Sequence, residues 1–189
     1  MPPPGALQLR WKRVPPTKTR RDVAWSLIRE VVGGGILISN PCAHCGRPHG
    51  AVQLSDPGMH ASVTYAGDYA VVAVATGPFA GFAIDAELDE SAVRDDAGLE
   101  GVLRRGAAAT IREWVRVEAA LKADGRGLRV DPTRVLVEAL SPHQWRAHVP
   151  DGAPISGWDV DDGPDGVVLS AAYAFSAAMP EAPTVPATV

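Results

Sequence analysis

Apolar residues recur at helical spacing in an early stretch of the chain. In residues 22–32, Val23, Leu27 and Val31 lie four apart, and a second apolar series offset by one residue follows the same spacing. This periodicity predicts an amphipathic helix. The three glycines at 33–35 would end it, because glycine is the usual residue just beyond a helix C-terminus.

The second helix predicted from the pattern spans residues 107–123. Trp114 and Leu121 belong to its buried face, and Gly125 and Gly127 follow directly as stop signals. This is the strongest helical pattern in the chain.

Continuous apolar runs predict buried strands elsewhere. The clearest are residues 70–75 and the run from 166 to 175, and a shorter one covers 135–137. Residues 141–166 mix polar, glycine and proline residues without a sustained run, and we expect loops there.

Two carboxylates interrupt an apolar stretch at residues 81–87. Asp85 and Glu87 lie two apart, so in a strand both side chains would point to the same face. Holding two charges on a largely apolar element is costly unless they bind a cation or another partner. The stretch is therefore a candidate metal-binding strand.

A third carboxylate lies on the second predicted helix. Trp114, Glu118 and Lys122 are spaced by four and share one helix face. Glu118 with Asp85 and Glu87 would give an oxygen-rich site of the kind Mg²⁺ prefers, and the lysine beside it would hold a phosphate. The simpler alternative is that Glu118 and Lys122 form a surface ion pair.

Composition limits the classes of partner. The 189 residues carry a net charge of −4, which gives no electrostatic case for nucleic acid or an anionic membrane. No apolar run approaches the roughly 20 residues of a membrane span, and the N-terminus lacks the layout of a signal peptide. We expect a cytoplasmic protein.

Both cysteines fall in one short segment. Cys42 and Cys45 form a Cys-Xaa-Xaa-Cys pair, with His44 and His49 close by. Such a group suggests zinc, but structural zinc usually takes four ligands, often from two separated pairs. The sequence leaves metal binding by this segment open.

The two carboxylate motifs, taken together and in order, resemble those of the Sfp-type 4'-phosphopantetheinyl transferase superfamily, in a divergent, actinobacterial-looking form. The family pattern is a Gly-Ile-Asp-Xaa-Glu strand followed by a helix with tryptophan, glutamate, lysine and two glycines. The matching positions are Gly81, Ile84, Asp85, Glu87, Trp114, Glu118, Ala119, Lys122, Gly125 and Gly127.

The resemblance implies an α+β fold. Two similar halves would be related by a pseudo-twofold axis, with the active site between them. The implied divisions are a flexible N-terminus at 1–9, an N-terminal half at 10–79, a C-terminal half with the metal motif at 80–178, and a flexible tail at 179–189.

The resemblance also implies an activity. It is the transfer of 4'-phosphopantetheine from coenzyme A to a serine of an apo acyl or peptidyl carrier protein, in fatty-acid, polyketide or non-ribosomal peptide synthesis. Asp85, Glu87 and Glu118 would bind the Mg²⁺ cofactor, and Glu118 and Lys122 would be catalytic. We expect a monomer with coenzyme A and the carrier protein as its partners.

Coenzyme A would be held through its phosphates. The resemblance assigns Arg21, Arg47, Tyr65 and Lys122 to this role.

Three positions depart from the family pattern. Ala51 and Val117 stand where the family has lysine, and Tyr65 stands where it has histidine. Arg47 and Arg116 are local cations that would compensate for the lost positive charge. The alternative is a non-catalytic or repurposed relative that binds a carrier protein or a nucleotide on the same fold.

Overall fold

A computed structural model describes residues 7–89, 99, 101–104, 106 and 110–175. The predicted tail at 179–189 lies outside these residues.

The first part of the chain forms a three-stranded antiparallel sheet covered by one helix. The strand order is β1–β5–β4, and β2 pairs separately with β3. The elements are β1 (Leu7–Arg13), α1 (Arg20–Val32), β2 (Ile38–Ser39), β3 (Gln53–Leu54), β4 (Met59–Ala66) and β5 (Tyr69–Thr76).

The second part forms a five-stranded antiparallel sheet with the order β6–β10–β9–β8–β7. Its elements are β6 (Phe79–Leu88), α2 (Ile111–Asp124), β7 (Leu136–Ala139), β8 (Gln144–His148), β9 (Ile155–Asp159) and β10 (Val167–Phe175), with 3₁₀ turns at Gly127–Arg129 and Pro132–Arg134. The described chain is thus an α+β protein with antiparallel sheets, as expected.

Both helices end at predicted glycines, and each begins with a threonine cap. The Thr19 side chain accepts a hydrogen bond from the Asp22 amide at the start of α1, and Thr110 caps α2 in the same way. The left-handed Gly125 ends α2, since a positive φ is accessible to glycine at little cost. Both helices are present as predicted. Helix α1 begins two residues earlier than its apolar pattern, and α2 begins at Ile111, after the predicted start at 107; residues 107–109 lie outside the described residues.

Two predictions about irregular segments are wrong. Residues 7–9, expected to be flexible, lie in β1, where Leu7 and Leu9 alternate with polar residues and pack against the core. Residues 141–166, expected to be loops, contain β8 and β9. These strands are five residues each and alternate buried with partly or fully exposed positions, so they lack the long apolar runs of β5 and β10.

Three apolar clusters build the core. One lies between the two sheets, and each helix covers the other face of its own sheet, so the order of packing is helix, sheet, sheet, helix. Strand β5 is continuously apolar because both of its faces are buried. Val71 and Ala73 face the central cluster, while Val72 and Val74 lie under α1.

The chain follows the same order of elements through each of the two sheets. In each, the first strand is followed by a helix and the sheet closes with a hairpin, β4–β5 or β9–β10. The last strand then pairs antiparallel with the first, β5 with β1 and β10 with β6.

Strands β4 and β6 meet at a seam without a backbone ladder. The Ile84 amide donates to Ser62 Oγ at 3.0 Å, and the Ala86 amide donates to Thr64 Oγ1 at 3.3 Å. Both pairs are 22 residues apart, so the strands run in the same direction. Side-chain hydroxyls therefore satisfy buried backbone amides that a neighbouring strand would normally satisfy.

Glycine at position 81 permits close contact between β6 and the end of α2. A Cβ atom there would lie 1.9 Å from the carbonyl oxygen of Ala123. No side chain fits this gap, so the glycine of the motif sets how closely the last turn of the helix approaches the strand.

Replacing Thr64 with valine should weaken the seam. The change keeps the shape but removes the hydroxyl, leaving the Ala86 amide without its acceptor. We expect the free energy of unfolding to fall by about 1–3 kcal/mol in urea titrations. The matched change Thr76→Val, on an exposed position of β5, should stay within about 0.5 kcal/mol. Equal stability of both variants would contradict a hydroxyl-bridged seam.

Candidate functional site

Asp85 is a buried carboxylate on the α2 side of β6. Its neighbours Ile84 and Ala86 pack in the central cluster, so strand alternation turns Asp85 toward the helix. Its side chain is 3% exposed. Oδ1 accepts a hydrogen bond from Thr64 Oγ1 at 3.1 Å and contacts the ammonium of Lys122. Oδ2 has no hydrogen-bond partner among the described residues.

Glu118 lies on α2, one turn before Lys122, and faces Asp85. Burial, followed by the negative charge of Asp85, raises its pKa to about 7; a hydrogen-bond interaction with Asp85 and the charge of Glu87 act in the same direction, and Lys122 opposes them. The predicted carboxylates and lysine therefore form one electrostatic group. Glu87 is half-buried near the end of β6.

The donor set suits a hard cation. Three carboxylates face one ammonium, and a buried oxygen of Asp85 lacks a hydrogen-bond partner in the described chain. Carboxylate oxygens are the ligands that Mg²⁺ prefers. Within the described residues, however, the oxygens of Asp85, Glu87 and Glu118 do not form a group in which all lie within 4.8 Å of one another. Lys122 takes the place of a cation at Oδ1 of Asp85.

A cleft of about 500 Å³ lies beside this group, between the two parts of the chain. A second cavity of about 400 Å³ extends it past Ala51, Phe82 and Lys122. The walls of the first cavity come from both sheets and both helices: Arg21, Trp25, Asn40, His49, Gly50, Ala51, Val52, Ala61, Ser62, Val63, Tyr65, Phe82, Ala83, Lys122, Gly125, Arg126 and Gly127. Lys122 is the residue that both lines the cleft and contacts Asp85.

Arg21 and Tyr65 lie in the cleft wall with Lys122, and their assignment to coenzyme A stays a prediction. The guanidinium of Arg21 lies 5.6 Å from the ring centroid of Trp25 and donates to the Pro48 carbonyl. Burial raises the pKa of Tyr65, although the charges of Arg21 and Arg20 oppose this. Tyr65 therefore stays neutral near neutral pH and offers the cleft a hydrogen bond, not a charge.

Arg116 does not supply a cation to the cleft, so the expectation that it compensates for missing charge is wrong. It is buried, and its Nε and Nη2 atoms donate to Asp159 at 3.1 and 2.7 Å. Its neighbour Val117 is in the core beneath α2. Burial acts against ionisation of Asp159, but hydrogen bonds from Arg116, Ser170 and Arg112 outweigh it and lower the pKa of this carboxyl.

Arg47 lies in the exposed loop that contributes His49 and Gly50 to the cleft, but its own side chain is not part of the wall. Hydrogen bonds from Arg47 lower the pKa of the neighbouring Cys45 thiol. Its assignment to coenzyme A remains a prediction.

Three residues of the site had no distinct signal in the sequence. Thr64 binds Asp85 across the seam. Asn40 is buried in the cleft wall, and its Oδ1 has no hydrogen-bond partner in the described chain. Arg126 also lines the cleft, braced by two hydrogen bonds to Asp124 and one to the Pro150 carbonyl. Thr64 contacts a residue 21 positions away and Arg126 a carbonyl 24 positions away, so a local pattern does not reveal these contacts.

A separate cluster lies at the rim of the cleft. The ligand atoms of Cys42, Cys45 and His49 all lie within 4.8 Å of one another. The imidazole of His49 also lines the cleft.

Comparisons with protein families and with curated proteins identify no relative of this chain. No protein-family model matches the chain, and no curated protein matches it significantly. No helix in the described ranges is long and apolar enough to cross a membrane.

The raised pKa of Glu118 predicts a specific pH dependence of stability. An acid whose pKa rises on folding contributes stability in full below its ordinary value of 4.5, and this contribution is lost as pH rises through about 7. We therefore expect wild-type protein to lose stability relative to Glu118→Gln between about pH 5 and pH 8 in urea titrations. Mg²⁺ should reduce this loss, since a bound cation favours the ionised carboxylate.

The control for this experiment is Glu138→Gln, which changes an exposed glutamate on β7. A pH profile of Glu118→Gln that runs parallel to wild type would contradict the proposed environment of Glu118.

Proposed function

We propose that this protein is a Mg²⁺-dependent 4'-phosphopantetheinyl transferase. It would move 4'-phosphopantetheine from coenzyme A to a serine of an apo acyl or peptidyl carrier protein. The observation that supports this most strongly is the meeting of Asp85, Glu118 and Lys122, because Lys122 also lines the cleft between the two sheets. The shared chain path of the sheets also suits a fold of two halves about a pseudo-twofold axis.

The cleft has the chemistry needed to bind a phosphate-rich ligand. Its volume lies in the usual range for small-molecule sites. Arg21, Lys122 and Arg126 bring three cations to its wall, and the side-chain oxygen of Asn40 is available to a donor on the ligand. Cations held by neighbouring contacts bind phosphate with a small loss of side-chain freedom.

In the proposed reaction, the carrier serine oxygen attacks the phosphorus that bears the pantetheine arm. The new serine O–P bond forms as the bond to 3',5'-adenosine bisphosphate breaks. The serine proton passes to the carboxylate of Glu118. With a pKa of about 7, this group is ionised in a useful fraction at neutral pH and is still basic enough to accept a proton.

Lys122 would balance negative charge on the transferring phosphate. Asp85 holds it through a direct contact, and Lys122 lines the cleft one helix turn after Glu118. Asp85 and Glu87 would hold Mg²⁺. Glu118 would complete that site only if it does not accept the serine proton, because a bound cation keeps a carboxylate ionised. When bound, the ion would neutralise charge on the diphosphate.

A second candidate is a relative that binds coenzyme A or a carrier protein without transfer. It is favoured by the loss of cations that the family uses: Ala51 leaves a small apolar side chain in the cleft wall, and Val117 is in the core. Coenzyme A binding without product formation would support this candidate.

The proposed activity can be tested by intact-mass spectrometry. Purified protein, coenzyme A and Mg²⁺ are mixed with a panel of apo carrier proteins. We expect a mass gain of about 340 Da on at least one carrier, corresponding to a phosphopantetheine arm, and its loss with EDTA. No gain on any carrier with folded protein would contradict the proposal.

Asp85→Asn keeps the size of the side chain but removes its charge. We expect transfer to slow by about 100-fold or more, because a charged group next to the phosphate would be lost. The control is Asp162→Asn on an exposed loop, which should transfer at the wild-type rate. Full activity of Asp85→Asn would contradict its assignment to the metal.

A further inference from the structure

We propose that Cys42, Cys45 and His49 bind one Zn²⁺ ion at the rim of the cleft, with a water or another small ligand in the fourth position. The site does not depend on the transferase activity proposed above.

The three side chains converge closely enough for one ion. Cys45 Sγ lies 3.1 Å from His49 Nε2, and the ligand atoms of the three residues are all within 4.8 Å of one another. Tetrahedral zinc, with Zn–S of about 2.3 Å and Zn–N of about 2.0 Å, places sulfur and nitrogen ligands about 3.5 Å apart. The observed spacing needs only a small adjustment.

The backbone of the loop is already folded into a tight turn. The Cys42 amide donates to the Arg47 carbonyl and the Gly46 amide to the Cys42 carbonyl, both at 2.8 Å. Gly46 has φ of +69°, a conformation that favours glycine. The Gly50 amide closes the loop by donating to the Asn40 carbonyl at 2.8 Å. Both cysteines and the histidine are thus brought together by local hydrogen bonds.

The ligand types favour zinc over the cation expected at Asp85. Two thiolates and an imidazole suit a borderline-soft ion, whereas Mg²⁺ and Ca²⁺ take oxygen ligands. Two thiolates also balance the charge of Zn²⁺. A Cys42–Cys45 disulfide would use the two sulfurs but would not explain the approach of His49 Nε2 to Cys45.

An ion here would fix part of the cleft wall. Asn40, His49 and Gly50 line the cleft, and Pro48 accepts the hydrogen bond from Arg21. The loop joins β2 and β3, two strands of only two residues each, so the sheet offers it little support. Zinc would supply the cross-link that this short ribbon lacks.

The test is metal content by elemental mass spectrometry on full-length protein, purified without chelator and kept reduced. We expect about one zinc per chain. Replacement by Co²⁺ should give the visible bands of a tetrahedral ion and a thiolate charge-transfer band in the near ultraviolet.

Variants separate the ligands from their neighbours. Cys42→Ser, Cys45→Ser and His49→Ala should each weaken zinc affinity by at least about 10-fold in a competition assay with a chromogenic chelator. His44→Ala is the matched control, because His44 lies in the same loop but outside the cluster, and it should bind zinc like wild type. Circular dichroism on each variant establishes that the fold is intact.

Three results would overturn the proposal: reduced wild-type protein that binds no zinc, Co²⁺ spectra without a thiolate band, or folded cysteine variants with unchanged zinc affinity. A purified chain lighter by two hydrogens that takes up no zinc after reduction would identify a disulfide instead.

Discussion

The hydroxyl of Thr64 connects the two sheets to the candidate site. It accepts a hydrogen bond from the Ala86 amide and donates to the carboxylate of Asp85, so a single side chain joins β4 to β6 and orients the acid. Asp85 is almost fully buried, and a buried carboxylate must be held by donors or paired with a cation. Thr64 and Lys122 both supply their contacts to Oδ1, one from each part of the chain.

Placing three carboxylates together costs electrostatic free energy, and the fold does not need this arrangement for its stability. Asp85, Glu87 and Glu118 repel one another, and burial adds to the cost of ionising Glu118. One lysine offsets only part of this charge. Such groups of repelling charges are typical of sites that bind an ion or move a proton. A divalent cation would offset the negative charge of the carboxylates, and a phosphate ligand would offset the positive charge of the cleft wall.

The sequence predicted those parts of the fold that depend on local patterns. The helices α1 and α2 and strands β5 and β10 follow from periodicity, end signals and long apolar runs. Spacing placed Glu118 and Lys122 on one helix face, whereas the meeting of these residues with Asp85 was implied by the family resemblance.

Contacts between distant segments were not predictable in this way. Arg116 has the same local surroundings as a surface arginine, yet Asp159, 43 residues away, binds it in the core. Thr64 was indistinguishable from any β-favouring threonine until β6 was placed beside it. The short strand β9 is held by pairing with β10, and β8 by pairing with β9 and by burial of Trp145; a local pattern records none of these contacts.

The most direct measurement is titration calorimetry of coenzyme A into the protein, with and without Mg²⁺, for wild type and Asp85→Asn. If the buried acid and the cleft form one metal-assisted phosphate site, wild type should bind coenzyme A more tightly with Mg²⁺ present, by about 10-fold or more, and the variant should lose this difference. Equal binding in all four titrations, or no binding in any, would contradict the site described above.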